Sequence, residues 1–272
     1  MNIAITGADG FLGKVVVNKL KVDKIPYTVF DFKKHNLLKP ETLKSLISGK
    51  DIIIHLAGVN RGNNLELFKV NVLGTLSLLE AAQMYAPTAK IIFASSFQVY
   101  LNDSLYGLSK KIGEDLILQY TKKEGLKGII LRISNIYGPG GKPFYNSVIA
   151  TFAHLIKSGE VLKINGDGSQ KRDYVYVDDV AEAILKAVLY IPKKNLEKID
   201  ICSGRKIPLN TILKILKQVS GKNFKVEYNM DAKENRWPTG SKNFKKANLL
   251  LGWKPKTQLT EGLKKVIQEN EN

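Results

Sequence analysis

Cysteine is almost absent: Cys202 stands alone in 272 residues. A single thiol excludes an internal disulfide framework and a zinc-ribbon type of site, and it suits a reducing cytoplasm. No metal centre is expected. No apolar run reaches the roughly 18 residues of a membrane-spanning helix, so no membrane partner is expected. The start, MNIAITGADG, lacks the order of basic leader, apolar stretch and small-residue cleavage site, so no signal peptide is expected. Acidic residues are also short, with 25 Asp+Glu against 42 Lys+Arg and a formal charge of +17. The lysines are spread along the chain, without a block of about five or six like charges. There is no arginine-rich arm either. A generally basic surface that attracts anionic small molecules explains the balance better than a nucleic-acid face. A hydrophobic fraction of 44% rules out a disordered chain.

What is present is alternation. Short apolar runs at 2–6, 27–31, 51–57, 91–96 and 128–134 read as strands. Helical patterns at 11–21, 65–85 and 106–123 lie between them. The runs are too apolar for a half-exposed antiparallel sheet and fit parallel strands covered on both faces. The expected fold class is α/β, a doubly wound parallel sheet (Rossmann) with a smaller mixed C-terminal substrate lobe. Beyond residue 136 come a glycine-rich loop at 138–144 and helical segments near 145–158, 178–190, 209–220 and 242–250. The expected division assigns 1–136 plus about 172–192 to dinucleotide binding and 137–171 plus 193–272 to the substrate lobe. The site is expected in the cleft between them.

Gly7, Asp9, Gly10, Phe11, Leu12 and Gly13 form a turn between the first strand and helix. Glycine permits the sharp turn and a close backbone approach to a diphosphate, and the helix N-terminus favours the phosphates. The spacing is GxxGxxG. Asp31, 18 residues past Gly13, suits the adenosine ribose hydroxyls and repels a 2′-phosphate. NAD is therefore expected, with NADP possible because Lys33 and Lys34 stand beside it.

Tyr106 and Lys110 are four residues apart and share a helix face. An ammonium there lowers the phenol pKa, so the tyrosine can exchange a proton with a sugar hydroxyl while hydride moves at the same carbon. Ser96, after a strand, is placed to hydrogen-bond the same oxygen. In order along the chain stand TGADGFLG, DIIIHLAG, NVLGT, SSFQVY, YGLSK, LRISNIYGPG, GDGSQKRDYVYVDDVA and LLGWKP. With these pieces the chain resembles the extended short-chain dehydrogenase/reductases, the NAD-dependent epimerase/dehydratase family acting on nucleotide sugars.

The resemblance implies catalytic Ser96, Tyr106 and Lys110, with Lys110 also on the nicotinamide ribose. Leu56, Ala57 and Gly58 would line the cofactor, and His55 behind it is a packed residue. Asn71 would support the site through its helix. Ser96, Asn135, Arg172 and Arg236 would contact a nucleotide-sugar substrate. Arg132 reads as structural, and Asp178 and Asp179 as a helix start. A homodimer through the helices near 65–85 and 106–123 is carried by the resemblance alone. Two departures stand out. Only LNDSL separates Tyr100 from Tyr106, which leaves a more open site. Phe97-Gln98 replaces the Asp-Glu pair of the 4,6-dehydratases, which disfavours dehydration. The expected activity is C4 epimerisation through a transient 4-keto sugar. HLAGVNR, YGLSKKIGE and YNSVIATFAHLI keep a 4-ketoreductase of capsule and antigen synthesis open as the alternative. A non-catalytic cofactor-sensing or RNA-associated protein on the same fold is the alternative of another class.

Overall fold

Runs of isoleucine and valine become one parallel sheet. The computed structural model describes all residues except 102, 124, 146, 232–243 and 272. The first five strands are β1 (Ile3–Thr6), β2 (Tyr27–Val29), β3 (Ile52–His55), β4 (Lys90–Ser96) and β5 (Lys127–Ile133). Then come β6 (Asn135–Tyr137), β7 (Leu162–Asn165), β8 (Lys171–Arg172), β9 (Tyr174–Tyr176), β10 (Leu196–Ile201), β11 (Ile207–Pro208) and β12 (Val226–Asn229). Six of them form the central sheet in the order β10-β5-β4-β3-β1-β2, every neighbouring pair parallel. Such a sheet must be covered on both faces, and β3 is buried at every position.

The first helices are α1 (Phe11–Val22), α2 (Lys44–Ile47), α3 (Asn64–Phe68), α4 (Gly74–Tyr85) and α5 (Leu105–Lys123). The remainder are α6 (Val148–Ser158), α7 (Val177–Leu189), α8 (Leu209–Ser220), α9 (Phe244–Leu251) and α10 (Leu259–Glu271). One face of the sheet packs its core with α1, α7 and α9, and the other with α2, α4 and α5. A third core joins Phe152 and Ile156 of α6, Ile212 and Leu216 of α8, and Leu263 and Ile267 of α10.

Several elements differ from the sequence pattern. β2 stops at Val29 because its partner β1 ends. Phe30 N–H makes the last bond to Ile5 O at 2.8 Å, and Asp31 O then accepts from Lys34 and His35 N–H in a turn. Asp31 therefore follows the strand rather than ending it. The 65–85 pattern is α3 and α4 joined by a π-helical turn at Lys69–Leu73, a feature that often marks functional positions. α6 begins later than 145 because Ser147 caps it, accepting from Ala150 N–H at 3.2 Å.

The chain from 193 onward does not stay in the smaller lobe. Residues 196–201 pair one by one with 128–133, and β10 is an edge strand of the central sheet. Ala247, Leu251 and Trp253 return to the same core. Trp253 is 2% exposed, and its indole N–H donates to Asp179 O at 2.7 Å. The Trp253→Ala variant is expected to lose about 3–5 kcal/mol of stability, read as a lower urea midpoint.

Candidate active site

The phosphate turn is built by close backbone approach. Gly7 has φ +76°, and a Cβ there would come within 2.5 Å of Ala57 N. A Cβ at Gly13 would overlap the Gly7 carbonyl, so glycine lets α1 rest directly on the turn. Gly10 caps α1 with no side-chain bond, and no acidic residue lies in its first turn. The first N–H groups and the positive helix end are left for an anion. Gly7, Asp9, Gly10, Phe11, Leu12 and Gly13 all line one cavity of about 860 Å³, joined by Leu56 and Gly58. Ala57 lies behind the wall, its N–H donating to Thr6 Oγ1 at 3.3 Å. Asp31 is outside the lining. Its carboxylate accepts from Lys33 N–H at 2.9 Å and stands 3.9 Å from Lys34 Nζ.

The same cavity holds Ser96 at the end of β4 and Tyr106 and Lys110 on α5. Gln98 N–H donates to Ser96 Oγ at 3.2 Å, which leaves the serine proton for the Tyr106 oxygen, its hydrogen-bond partner. The expected lowering of the phenol by Lys110 is not found. Burial pushes Tyr106 up to about 12; the Ser96 hydrogen bond pulls against this and Tyr145 adds to it. Lys110 itself is brought down to about 8 by burial. Its Nζ lies 4.8 Å from the Phe93 ring centre, on the side of the helix that meets Gly58 and the Asn71 amide.

Asn71 fixes this corner. Its Oδ1 accepts from Val59 N–H at 2.9 Å, and its Nδ2 donates to Val59 O at 2.8 Å and Ser109 Oγ at 2.9 Å. It ties the 58–60 loop to α5. His55 continues the chain. Thr75 Oγ1 donates to Asn71 O at 2.7 Å, so it accepts from His55 Nε2–H at 3.0 Å. His55 Nδ1 then accepts from Thr6 Oγ1 at 2.6 Å. Burial, reinforced by the Lys110 charge, lowers His55 to about 3, so the ring stays neutral and positions its neighbours.

Glu114, one turn past Lys110, anchors the helix. Its fully buried carboxylate accepts from Ser95 Oγ at 2.7 Å, Arg132 Nε at 2.8 Å, Arg132 Nη2 at 2.6 Å and Lys198 Nζ at 3.2 Å. Burial raises this carboxyl. The bonds from Arg132 and Ser95 and the nearby positive charges outweigh it and hold the group below the ordinary value. Arg132 also donates to Tyr100 OH at 2.8 Å, and Tyr100 donates to Asp200 at 3.0 Å.

On the far wall Asn135 lines the cavity, and its Nδ2 donates to Asp173 O at 2.9 Å. Arg172 lies on β8, outside this lining, with Nη1 donating to Lys171 O at 3.1 Å. Arg236 lies outside the described residues. Asp178 and Asp179 sit in the first turn of α7, and Asp179 accepts from Lys256 and Thr257 N–H. Sequence reasoning missed Tyr145, the 139–142 loop and Glu269, all of which line the cavity. Glu269 accepts from Gly140 N–H at 2.6 Å and comes from α10. The apolar spacing of Leu259, Leu263, Val266 and Ile267 was its signal. A second cavity of about 880 Å³, beside β9, α9 and Trp253, holds none of the candidate residues.

A sequence model described as the NAD dependent epimerase/dehydratase family matches residues 3–201. The chain belongs to this family. It is therefore an enzyme. A putative UDP-glucose 4-epimerase of Methanocaldococcus jannaschii is 32% identical, covering 99% of this chain and 98% of the relative. The structure of a UDP-glucose 4-epimerase of Thermotoga maritima with UDP-glucose superposes with TM-score 0.86 at 29% identity, over 100% of this chain and 99% of that one. RMD from Pseudomonas aeruginosa, complexed with NADPH, gives TM-score 0.87 at 26% identity, over 99% and 98%. Among the described residues no helix is long and apolar enough to cross a membrane.

The His55 relay has an acid signature. The unfolded ring takes up a proton near its ordinary pKa of about 6.5, while the folded ring refuses it until about 3. Stability present above about 6.5 is then lost as pH falls toward 3, at up to about 1.4 kcal/mol per pH unit. Urea midpoints measured across this window are expected to fall, and His55→Gln is expected to flatten that slope.

Proposed function

We propose that this protein is an NAD(P)-dependent nucleotide-sugar enzyme that inverts a sugar C4 centre through a transient 4-keto sugar. One observation carries the reading: the Ser96–Tyr106 pair and Lys110 share a cavity with an uncapped, glycine-built helix N-terminus. The residues present fit a dinucleotide. Gly7, Gly10 and Gly13 leave room that a Cβ would fill, and the N–H groups of the first turn of α1 hold the diphosphate. Asp31 takes the adenosine ribose hydroxyls, and Lys110 beside Gly58 holds the nicotinamide ribose. When bound, NAD accepts a hydride from C4 and later returns it.

Tyr106 would take the proton of the C4 hydroxyl as the hydride leaves the same carbon, so that the sugar loses two electrons to the bound cofactor and becomes the ketone; this needs a positive charge at the site to offset the burial that raises the phenol. With a sugar bound, Ser96 would turn its single proton from the Tyr106 oxygen to the C4 oxygen. The ketone would have to turn over in the cavity so that it is reduced on its opposite face, and Tyr106 would give the proton back to the C4 oxygen. Asn135 would border the sugar, and Arg236 is assigned to the diphosphate, which a guanidinium fits in a bidentate way; Arg172, outside the cavity lining, would meet the diphosphate only where it extends beyond the cavity. Phe97 and Gln98 supply neither an acid nor a base for eliminating water.

Hydride delivery in one direction, a 4-ketoreductase using NAD(P)H, is the second reading. Lys33 and Lys34 beside Asp31, and the likeness to an NADPH complex, favour it. The non-catalytic alternative finds no support in a cavity that brings Ser96, Tyr106 and Lys110 together. We assign the protein to the cytoplasm and to sugar supply for polysaccharide synthesis. A homodimer through α4 and α5 accords with exposed Met84, Leu105 and Leu108. The first-lobe assignment is 1–136 with 172–192, extended by β10.

Protein purified without added cofactor is to be denatured and its released nucleotide identified. About one NAD(H) per chain supports the epimerase. A cofactor-free protein that binds NADPH or NADH reversibly supports the ketoreductase. A protein that binds neither contradicts both.

A further inference from the structure

The turn after Ser96 is held to the first turn of α5 at close range. Gln98 O accepts from Leu101 N–H at 3.0 Å, and a Cβ at Gly107 would run into that same carbonyl. Ser104, carried back by the short segment before Tyr106, reaches the Gln98 side chain. Ser104 Oγ accepts from Gly107 N–H at 2.9 Å and sends its own proton to Gln98 Oε1 at 2.6 Å. The serine oxygen is thus engaged by a backbone donor, and its hydroxyl sets the direction of the amide. With one lone pair of Oε1 taken by Ser104, the donor that Gln98 has left is its –NH2. Gln98 lines the reaction cavity together with Ser96 and Tyr106.

We propose that Gln98, steered by Ser104, is a specificity-determining residue: its amide donates a hydrogen bond to an oxygen substituent on the sugar ring carbon beside the reacting one. The inference rests on the nucleotide-sugar reading above. It explains what the two sequence departures do together. The short LNDSL segment brings Ser104 into range, and glutamine supplies an uncharged donor where an acid would supply a proton. A glutamate there would still receive the Ser104 hydroxyl, but it would turn an acceptor toward the sugar oxygen. Asn60 Oδ1, buried in the same cavity wall and without a partner among the described residues, adds an uncharged acceptor. The cavity wall therefore suits neutral, oxygen-bearing sugar rings, and a ring that lacks that oxygen loses the contact.

The test compares wild type, Gln98→Leu, Gln98→Glu and Ser104→Ala on a panel of UDP-hexoses and their deoxy analogues, with cofactor affinity measured separately. Gln98→Leu is expected to raise KM for the preferred UDP-hexose roughly tenfold while cofactor affinity stays at the wild-type value. It should also narrow the gap between that sugar and its deoxy analogue. Gln98→Glu is expected to lose at least as much. Ser104→Ala, which leaves the amide free to rotate, is expected to shift KM in the same direction by a smaller factor. Wild-type KM values and unchanged deoxy discrimination in both Gln98→Leu and Ser104→Ala would overturn the proposal. So would an equal loss of cofactor affinity in both, which would mark a structural role. A wild-type protein that binds cofactor and turns over no nucleotide sugar would instead remove the underlying functional reading, and this inference with it.

Discussion

The buried Glu114 carboxylate is the point from which the reactive groups take their positions. It sits on the same face of α5 as Tyr106 and Lys110, at successive steps of four residues. Its partners come from β4 through Ser95, from β5 through Arg132 and from β10 through Lys198. Ser95 adjoins Ser96, and Arg132 lies just before the residues that lead to Asn135. One charge therefore sets the rotation of the helix against the ends of β4 and β5, which lead into the site, and against β10 beside them. A buried charge is tolerable only when fully paired, and removing one partner typically costs about 3–5 kcal/mol. That cost resists any small rotation that would draw Tyr106 away from Ser96.

Around that anchor the site uses burial in two directions. Burial raises the Tyr106 phenol to about 12 and lowers the Lys110 ammonium to about 8. Both groups are thus held against their charged forms. Beside the charged anchor, neutral side chains tie the 58–60 loop to α5. The Asn71–Thr75–His55–Thr6 chain has one consistent arrangement of protons, because Thr75 commits its own to Asn71 O. A loop, residues 139–142, lines the cavity beside Phe11 of α1, and α10 steadies it through Glu269.

The central sheet was legible because its strands are short, apolar and β-branched, and parallel strands need such runs. The phosphate turn was legible because three glycines in that spacing serve backbone contacts that no other residue permits. Ser96, Tyr106 and Lys110 were legible through helical spacing and position after a strand. Other features were hidden for physical reasons. β10 carries two adjacent charges, Glu197 and Lys198, which find partners in Lys246 and Glu114. The π-helical turn at Lys69–Leu73 shows in no periodicity, since its single extra residue shifts the face by less than a turn. The phenol's rise depends on how deeply α5 sits, which spacing alone does not report. Arg172 was drawn to the site by its motif, yet β8 places it beyond the cavity lining.

The central claim is that Tyr106 moves the proton at the reacting carbon of a nucleotide sugar, at a cavity that binds its cofactor without that hydroxyl. The most direct measurement is single-turnover kinetics of Tyr106→Phe beside wild type, on the sugar that wild type accepts, with bound cofactor quantified in both. The account predicts a fall in rate of roughly 10²–10⁴-fold with cofactor occupancy unchanged. A Tyr106→Phe variant that turns over near the wild-type rate would contradict it.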